Sequence, residues 1–457
     1  MWLYSHSDSL ATATMLTASA CCGNMAGVTR PIPGYFFPLL SREDLTGREA
    51  LSAFTQRLRE DDFPRQDTLV YVHIPFCRSH CIFCGYYRQT THEGEVLFER
   101  YIDRLLTELE LWLSMRCLRF SDVKSMYIGG GTPSLLSPRL AGRLLEGLRS
   151  TLGLSPQVEI TFEGEPATLK NDELLKTLRE HHVTRCSFGV QTFDPDVRRL
   201  CKISASVRDV QHCAEALRRH RYAVCLDLMY GLPGQSLSTF MTDLEQAVDQ
   251  QGASLVDLYP MVPYPNAPLY QGDRDTRVRL PTQDERRRMH DAALDFFESK
   301  GFVQYTFEDF CRPGHEYLMK RLTYGSDDGR AQTLALGACA VGYVGGHAYR
   351  NETLEPYDQT PSDRLPIALL RRASLGERRR RALFFYPRRL TLQPTCLADP
   401  LTDEEERALD SHVQQGLSHR NENGTFTLTR QGRLHADQMV LGLLSARERR
   451  KLFRLVQ

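Results

Sequence analysis

Short apolar runs alternate with long amphipathic stretches from about residue 68 onward. The runs have the length of buried strands, and the stretches repeat apolar residues with the period of a helix. Six such pairs predict an α/β fold of parallel βα units, either a partial (β/α)6 barrel or an open sheet. The predicted strands are Leu69–Ile74, Val123–Ile128, Val158–Phe162, Arg185–Val190, Ala223–Asp227 and Leu255–Tyr259, and the helices between them are Leu97–Met115, Arg139–Thr151, Asp172–His181, Val207–Arg219 and Leu237–Gln250.

A different pattern follows the last of these units. It predicts a closing helix, a β-like stretch, a glycine-rich region and a small helical, winged-helix-like module whose role stays open between nucleic-acid binding, docking and covering a site. These segments are Thr282–Lys300, Phe302–Phe310, Leu334–Gly346 and, in the module, Thr402–Gln415, Thr425–Thr429 and Gln431–Leu443. We therefore divide the chain into an N-terminal extension (1–67), a βα core (68–300), a core-completing substrate region (301–385) and a C-terminal module (386–457).

Composition and charge narrow the function classes. The chain is 41% hydrophobic and 25% charged with a formal net charge of zero, which disfavours a dedicated binder of nucleic acid or membrane surface. The run Arg378-Arg379-Arg380-Arg381 is interpreted as a solvated helix face, and no apolar run is long enough to predict a transmembrane helix. Most of the 13 cysteines are scattered singly, which is typical of free thiols in a reducing compartment, so we expect a cytoplasmic protein. Residues 1–27 are expected to form a loose extension.

The strongest chemical signal is a C-x3-C-x2-C loop directly after the first predicted strand. Cys77, Cys81 and Cys84 can bind three irons of a cubane [4Fe–4S] cluster, leaving the fourth iron open to a substrate or cofactor. A zinc site is the alternative, but zinc ordinarily takes a fourth protein ligand, and none is evident near His80. Three unrelated thiols at this spacing would be the remaining explanation.

Four further motifs follow the next four predicted strands. Gly129-Gly130-Gly131 allows close backbone approach, and its N–H groups are expected to bind a carboxylate or polar group. The others are Ile160-Thr-Phe-Glu163-Gly-Glu165-Pro166, Ser187-Phe-Gly189-Val-Gln191-Thr-Phe193 and Leu226-Asp227-Leu-Met-Tyr230-Gly231. Their carboxylates and amide can accept hydrogen bonds from ammonium or ribose groups. Because the carboxyl ends of parallel strands share one edge, all five motifs are expected to form one active site.

Taken together, these strings resemble the radical S-adenosylmethionine (SAM) superfamily, and within it the oxygen-independent coproporphyrinogen III oxidase class. The resemblance covers roughly residues 68 to 350. It implies a [4Fe–4S] cluster on the three cysteines, SAM bound to the open iron, a second SAM beside the first and a flavodoxin-like electron donor. By motif, Tyr71, Gly130 and Glu163 would contact the cluster-bound SAM, and the second SAM would be lined by Phe83, Gly131, Thr132, Gln191 and Asp227.

Departures from the class indicate the branch. An arginine that the oxidases carry after the glutamine is Ile203 here, and the haem chaperones' His-Asn-x-x-Tyr-Trp string is replaced by Lys320-Arg321-Leu-Thr-Tyr324-Gly325. The segments Gly85-Tyr-Tyr-Arg-Gln89 and Tyr264-Pro-Asn-Ala-Pro-Leu-Tyr270 resemble the haem-utilisation radical SAM methyltransferases, the anaerobilin synthases. That resemblance implies anaerobic haem degradation, in which the porphyrin is methylated and opened to a linear tetrapyrrole and iron is released.

Haem is the substrate that this resemblance implies, and a non-catalytic haem chaperone and a coproporphyrinogen decarboxylase are the alternatives. No nucleic-acid partner is expected. Histidines, tyrosines and arginines between residues 312 and 350 are the candidate haem contacts, because this region is expected to face the barrel mouth and guanidinium groups can pair with propionates. They are His315, His347, Tyr324, Tyr343, Tyr349, Arg312, Arg321 and Arg350.

Overall fold

The computed structural model describes residues 48–60, 65–91, 94–115, 118, 121–262, 267–270 and 279–444. The predicted loose segment over residues 1–27 and part of the segment Tyr264–Tyr270 therefore lie outside the described residues. Within the predicted extension, helix α1 (Arg48–Glu60) buries Phe54 and Leu58 in the main core. No described helix is long and apolar enough to cross a bilayer.

The first half of the chain confirms the predicted alternation of strands and helices. It forms β1 (Gln66–Ile74), β2 (Phe76–Cys77), β3 (Gln89–Thr90), α2 (Glu95–Leu113), β4 (Ser121–Gly130), α3 (Pro138–Leu152), β5 (Glu159–Gly164), α4 (Pro166–Leu169), α5 (Asp172–Glu180), β6 (Arg185–Gln191), α6 (Pro195–Leu200), α7 (Val207–Arg219), β7 (Val224–Tyr230), α8 (Leu237–Glu245) and β8 (Leu255–Pro260).

The second half adds a run of antiparallel strands and the C-terminal module. It forms α9 (Gln283–Ser299), β9 (Val303–Gln304), β10 (Asp309–Cys311), α10 (Leu318–Thr323), β11 (Gln332–Leu336), β12 (Val341–Val344), β13 (His347–Asn351), α11 (Leu354–Gln359), β14 (Ile367–Arg372), α12 (Leu375–Arg379), α13 (Arg381–Arg389), β15 (Thr391–Leu392), α14 (Asp403–Gln414), β16 (Ser418–Arg420), β17 (Phe426–Leu428), α15 (Arg430–Leu434) and α16 (Ala436–Gly442).

One mixed sheet organises the described chain. Strands β1, β4, β5, β6, β7 and β8 lie side by side in that order and are parallel. Strand β11 extends the parallel set beside β1, and β10 pairs antiparallel with β8. The carboxyl ends of the six predicted strands therefore share one edge, which is the arrangement that the motifs require.

Local sequence explains where the helices begin and which face they bury. Ser206 and Asp209 form a capping box at α7, and Thr282 and Glu285 form one at α9, which satisfies backbone N–H groups that a helix start leaves unpaired. Amphipathic spacing then directs one face of each helix onto the sheet. In α2 the buried face carries Phe98, Ile102, Leu105 and Leu109.

A second apolar core holds the C-terminal module together. Leu383 and Tyr386 of α13 pack in it with Leu409 of α14, Phe426 of β17 and Met439 of α16. Helix α13 thus begins five residues before the predicted module boundary at residue 386 and joins the module to the preceding region. The boundaries themselves stay a prediction.

The arginine run interpreted as a solvated helix face is packed instead. Arg381 is only 3% exposed. Its guanidinium donates hydrogen bonds to the carbonyls of Gly329 and Ala331 and lies over the Tyr343 ring. Arg379 and Arg380 pair with Glu405 of α14. The solvated-face interpretation was wrong because the run spans the junction between α12 and α13, where two packed regions meet.

A buried cation, the ammonium of Lys320, lies inside the barrel, below the edge formed by the carboxyl ends of the parallel strands. Lys320 of α10 is 7% exposed, and its ammonium lies 2.9 Å from Asp309 Oδ1 and 3.7 Å from Asp257 Oδ2 and donates to the Tyr259 hydroxyl at 2.8 Å. Burial opposes the charge, but the two carboxyl groups outweigh it and hold the pKa of Lys320 well above its usual value. Lys320 therefore compensates acidic groups that would otherwise be costly to bury.

Candidate active site

The three cysteines of the loop are free and half-buried, and all of them line one cavity. Cys77 ends β2, which pairs with β3 through Cys77 and Thr90. The loop is held further by a hydrogen bond from the Ile82 N–H to the Cys201 carbonyl at 3.1 Å. The backbone therefore fixes the loop at both ends, and the thiols face the interior of the cavity.

The surroundings of the thiols favour a metal-bound state over free thiolates. Burial raises the pKa of Cys81 to about 12 and also raises the pKa of Cys77. Thr132 opposes the shift at Cys77 by donating a hydrogen bond to the Cys77 sulfur at 3.4 Å. Thiols that are buried in this way ionise readily only when a metal supplies positive charge. In the described part of the chain, no three His, Cys, Asp or Glu side chains are grouped to hold one metal ion. A cubane fits the loop, because each thiolate there binds a different iron.

One cavity of about 350 Å³ gathers the predicted site, and its volume is in the range of small-molecule sites. We call the side formed by the strand ends and their loops the inner wall. Every predicted cofactor-binding or cluster-binding residue except Tyr71 lines it, namely Cys77, Cys81, Phe83, Cys84, Gly130, Gly131, Thr132, Glu163, Gln191 and Asp227. The predicted convergence of the motifs is therefore what the structure shows, while their individual contacts with SAM stay predictions.

The glycine motif acts differently from the prediction that its N–H groups are open to a ligand. Gly130 donates to Glu163 Oε2 at 3.0 Å, Gly131 donates to the Ile74 carbonyl at 2.8 Å and Thr132 donates to the Phe76 carbonyl at 2.7 Å. Gly130 has a φ of +111°, and a Cβ there would lie 2.5 Å from the His73 ring. The glycines permit close packing between β1 and β4, and through that packing they position Glu163.

Glu163 and Asp227 bring carboxyl groups to the inner wall. Glu163 accepts hydrogen bonds from the Tyr127 hydroxyl and the Gly130 N–H, yet burial raises its pKa. Burial also raises the pKa of Asp227 well above its usual value, and the neighbouring Asp257 and Glu163 add to the shift while Lys320 opposes it. A cationic group in the cavity would relieve this repulsion, so the wall is suited to an ammonium or sulfonium ligand.

Gln191 ends β6 in a backbone conformation that costs energy. Its φ is +68°, in a region that residues with a Cβ seldom occupy, and such strain is concentrated at functional sites. The side chain lies against Gly189, where a Cβ would come within 2.5 Å of Gln191 Nε2. Ile203, at the position where the class has an arginine, also lines the cavity, so the chain places an apolar side chain there.

Tyr71 lies behind the inner wall. It is 7% exposed, its hydroxyl forms a hydrogen bond with His73 Nδ1 at 2.9 Å, and its ring stacks on Tyr127. Its predicted contact with SAM stays a prediction, but its position in this structure is behind Glu163 and the glycine motif.

The candidate haem contacts do not face the barrel mouth, and none of the eight lines the cavity. Arg312 donates its N–H to the Ser254 carbonyl, just before β8 begins, so the loop of Arg312 and His315 lies at the opposite end of the parallel strands. His347 starts β13 and is buried, Tyr324 donates to Glu308, and Tyr349 contacts the backbone of Ala335. Tyr343 lies under Arg381, Arg321 pairs with Asp327, and Arg350 is buried in β13. For the four candidates on β12 and β13 the prediction was wrong because these strands run antiparallel to their neighbours, which the sequence does not show.

Sequence reasoning missed the other side of the cavity, which we call the outer wall. It comes from α9, the segment around Glu308, α13 and the start of α16, and includes Arg286, Arg287, His290, Phe307, Glu308, Arg388, Leu434, His435 and Gln438. No local motif marks these residues. The signal that was available is weak: basic residues of α9 follow its capping box, and a histidine lies between α15 and α16.

Arg88 was also missed, although it follows the cysteine loop by only four residues. It lines the cavity and donates to the carbonyls of Cys84 at 3.2 Å and Tyr86 at 2.7 Å. Its Nε and Nη2 are buried and have no hydrogen-bond partner among the described residues. The guanidinium of Arg88 stabilises a thiolate at Cys77. Its charge lowers the pKa of Cys77, and a Cys77 thiolate raises the pKa of Arg88, in each case against the larger effect of burial.

Known proteins that resemble this chain point to one superfamily. The radical SAM superfamily matches residues 71–247. Anaerobilin synthase from Escherichia coli O157:H7 is 29% identical over 403 residues, which cover 87% of this chain and 88% of that protein. Heme chaperone HemW from Lactococcus lactis is 31% identical over 284 residues, covering 62% and 71%.

Comparison with solved structures confirms the fold. Coproporphyrinogen III oxidase (HemN) from Escherichia coli, described as a radical SAM enzyme, superposes with a TM-score of 0.73 at 22% identity and covers 91% of this chain and 96% of that chain. Radical SAM proteins use a [4Fe–4S] cluster and SAM, so Cys77, Cys81 and Cys84 fit the cluster-binding role that their loop predicts. The chain belongs to the radical SAM superfamily, in the class that resembles oxygen-independent coproporphyrinogen III oxidase.

Proposed function

We propose that this protein degrades haem anaerobically as a radical SAM methyltransferase of the anaerobilin synthase type. In this reaction a methyl group from SAM is added to the porphyrin, a meso bridge opens, and iron leaves as a linear tetrapyrrole forms. The similarity to anaerobilin synthase supports the proposal because it extends over 87% of the chain, well beyond the barrel, whereas the HemW relative aligns with 62%.

The single observation that carries the proposal is the continuity of the cavity. The thiols of the inner wall and the basic and aromatic residues of the outer wall line the same space. A large planar substrate held by the outer wall therefore reaches the cofactors directly, which a radical reaction requires and storage of haem does not.

The chain's residues would divide the work as follows. When bound, the cluster supplies the electron that cleaves SAM reductively. Glu163 would accept hydrogen bonds from the SAM on the open iron, while Gln191 and Asp227 would bind the polar groups of a second SAM, with Phe83 against its apolar surface. The electron donor is proposed to be flavodoxin-like.

The loss of the haem chaperones' His-Asn-x-x-Tyr-Trp string favours the enzyme over the chaperone. In place of that string the chain has α10, whose Lys320 is used inside the barrel, where it bonds with Tyr259 and pairs with Asp309. The segment thus lies behind the cavity, where Lys320 supports Tyr259, a residue that lines it. The identity to several heme chaperones, 31–33%, keeps haem binding without turnover as the second candidate.

Anaerobic turnover with haem tests the proposal. The cluster-loaded protein is incubated with SAM, a low-potential reductant and haem, and the Soret band is followed together with mass spectrometry of the products. The expected result is loss of the band, a methylated linear tetrapyrrole, and formation of S-adenosylhomocysteine and 5′-deoxyadenosine. Bound haem that survives intact would establish the chaperone instead, and carbon dioxide released from coproporphyrinogen would establish the decarboxylase.

A further inference from the structure

The outer wall has the features of a binding site rather than of a cover. Arg286 and Arg287 of α9 both face the cavity. The stem of Arg286 lies on Gly231, where a Cβ would come within 2.5 Å of Arg286 Cδ. A glycine at this point, with φ +82°, leaves room for the arginine, so the backbone of the inner wall accommodates a side chain of the outer wall.

The outer wall brings two guanidinium groups, those of Arg286 and Arg287, to the cavity. Arg388 and Glu308 form a buried ion pair at 2.8 Å and cancel each other. Arg286 donates to the Pro281 carbonyl at 3.0 Å, and Arg287 pairs with Asp284, which lies on the exposed side of α9. Two adjacent guanidinium groups at a cavity wall suit a ligand with two carboxylates, because guanidinium binds carboxylate in a bidentate manner.

Two imidazoles accompany this charge. His290 is 4% exposed and packs between the rings of Tyr230, at 5.6 Å, and Phe307, at 5.2 Å. His435 is half-buried beside Gln438. Its Nδ1 is buried, and no described atom lies at the distance and angle of a hydrogen bond to it. Burial and then the nearby Arg287 lower the pKa of His435. A neutral imidazole has a lone pair that can bind a metal.

Aromatic and apolar side chains complete the surface. Phe307 and Leu434 of the outer wall line the cavity together with Tyr230 of the inner wall. The cavity therefore combines apolar and aromatic side chains, two guanidinium groups and a neutral imidazole on this side, and iron-bearing tetrapyrroles with two propionates match all three.

We propose that the outer wall is the haem-binding site, with Arg286 and Arg287 paired to the propionates and His435 bound to the iron. This inference rests on haem being the substrate, as proposed above. It gives the C-terminal module a role in recognition of the substrate, since His435 belongs to that module and is fixed to α9 by Arg430, which bonds to Asp291 at 2.6 Å.

Equilibrium binding to the full-length, cluster-loaded protein tests the carboxylate contacts without any turnover. Haem and haem dimethyl ester are titrated anaerobically in the absence of SAM, and the Soret difference spectrum gives each Kd. The double change R286Q/R287Q is expected to weaken binding of haem about tenfold or more and to leave the ester nearly unaffected. The change R286K/R287K should retain part of the affinity, and R312Q, at the opposite end of the barrel, should have none of these effects.

The contact between His435 and the haem iron is tested by comparing haem with iron-free protoporphyrin IX. H435A is expected to shift the Soret band of bound haem and to weaken haem binding, with no change for iron-free protoporphyrin IX. H315A is the matched control. Equal affinity of R286Q/R287Q and wild type for haem, or an unchanged haem spectrum in H435A, would overturn this assignment while haem turnover by the wild type still stands. A wild-type protein that neither binds nor consumes haem would instead overturn the proposed function.

Discussion

The two walls of the cavity are built in different ways. Each motif of the inner wall follows its own strand, and the edge shared by parallel strands brings the motifs together. The outer wall combines α9 with residues from the far end of the chain, held by the pairs Arg430–Asp291 and Arg388–Glu308. The residues of the inner wall thus follow from local sequence, whereas the shape of the outer wall depends on long-range packing. We therefore expect that each wall can be altered without the other.

Loss of one cluster thiol should have the largest effect and should be confined to the inner wall. In Cys81→Ala one iron loses its protein ligand, so we expect loss of iron–sulfur absorbance and of all 5′-deoxyadenosine formation, with haem affinity little changed. Cys396→Ala, at an exposed cysteine, should behave like wild type in both assays. Haem binding that disappears together with the cluster would show that the walls are not separable.

Removal of the buried ammonium of Lys320 should destabilise the barrel behind the inner wall. Lys320→Met leaves Asp257 and Asp309 buried without their cation, so we expect the free energy of unfolding to fall by about 3–5 kcal/mol. Urea denaturation measures it. Arg321→Ala on the same helix breaks an exposed pair with Asp327 and should cost only about 0–1 kcal/mol. Equal losses in the two variants would contradict the role assigned to Lys320.

Substitution of Glu163 should weaken the binding of SAM and leave the outer wall unaffected. Glu163→Gln removes the charge that a SAM amino group would meet, and hydrogen bonds to charged groups contribute about 1.5–3 kcal/mol. We expect SAM to bind about 10–150-fold more weakly, measured by equilibrium dialysis of the cluster-loaded protein. Glu165→Gln, which also lines the cavity, is the control and should bind SAM normally. Similar losses in both variants would mean that general negative charge, and not Glu163, binds SAM.

Acid should destabilise the C-terminal module through His412, just as it should destabilise the barrel through the buried His73, whose pKa burial also lowers to about 4. Burial lowers the pKa of His412 from 6.5 to about 4 in the folded protein. The unfolded chain therefore binds a proton that the folded chain excludes, and the stability from this group, complete above pH 6.5, is lost as the pH falls toward 4. We expect a loss of about 1–2 kcal/mol between pH 7 and pH 5. Amide hydrogen exchange in α14 and α16 measures it.

The matched variant for this pH effect is His412→Gln, which does not titrate. It should remove most of the pH dependence in the module while lowering stability at pH 7. A slope that persists unchanged would assign the acid sensitivity to another group.

The smallest effect is expected at the contact between α15 and α9. Arg430 is half-exposed and bonds to Asp291 and Asp295, and surface pairs of this kind contribute about 0–1 kcal/mol. Arg430→Ala should therefore leave global stability almost unchanged while weakening haem binding slightly, as measured by the Soret titration. Large global unfolding would show that the module and the barrel form one cooperative unit.

The sequence predicted the parts of this protein that depend on neighbours along the chain. The six strands and the inner-wall residues follow from apolar periodicity and from motifs at strand ends. Arg286 and His435 could not be predicted, since only packing of the module on α9 makes them neighbours. His347 and Tyr343 were misplaced because β12 runs antiparallel to β11 and β13 runs antiparallel to β12, and Arg381 was misread because its partners are backbone carbonyls near residue 330.

The separation of the walls along the chain has a consequence for biosynthesis. Cys84 leaves the ribosome long before His435 does, and at ~5–20 residues per second the interval is roughly 20–70 s. During that time the cysteine loop exists without the helices that later stand over it. The loop is thus accessible in the nascent chain from the side that the outer wall later covers.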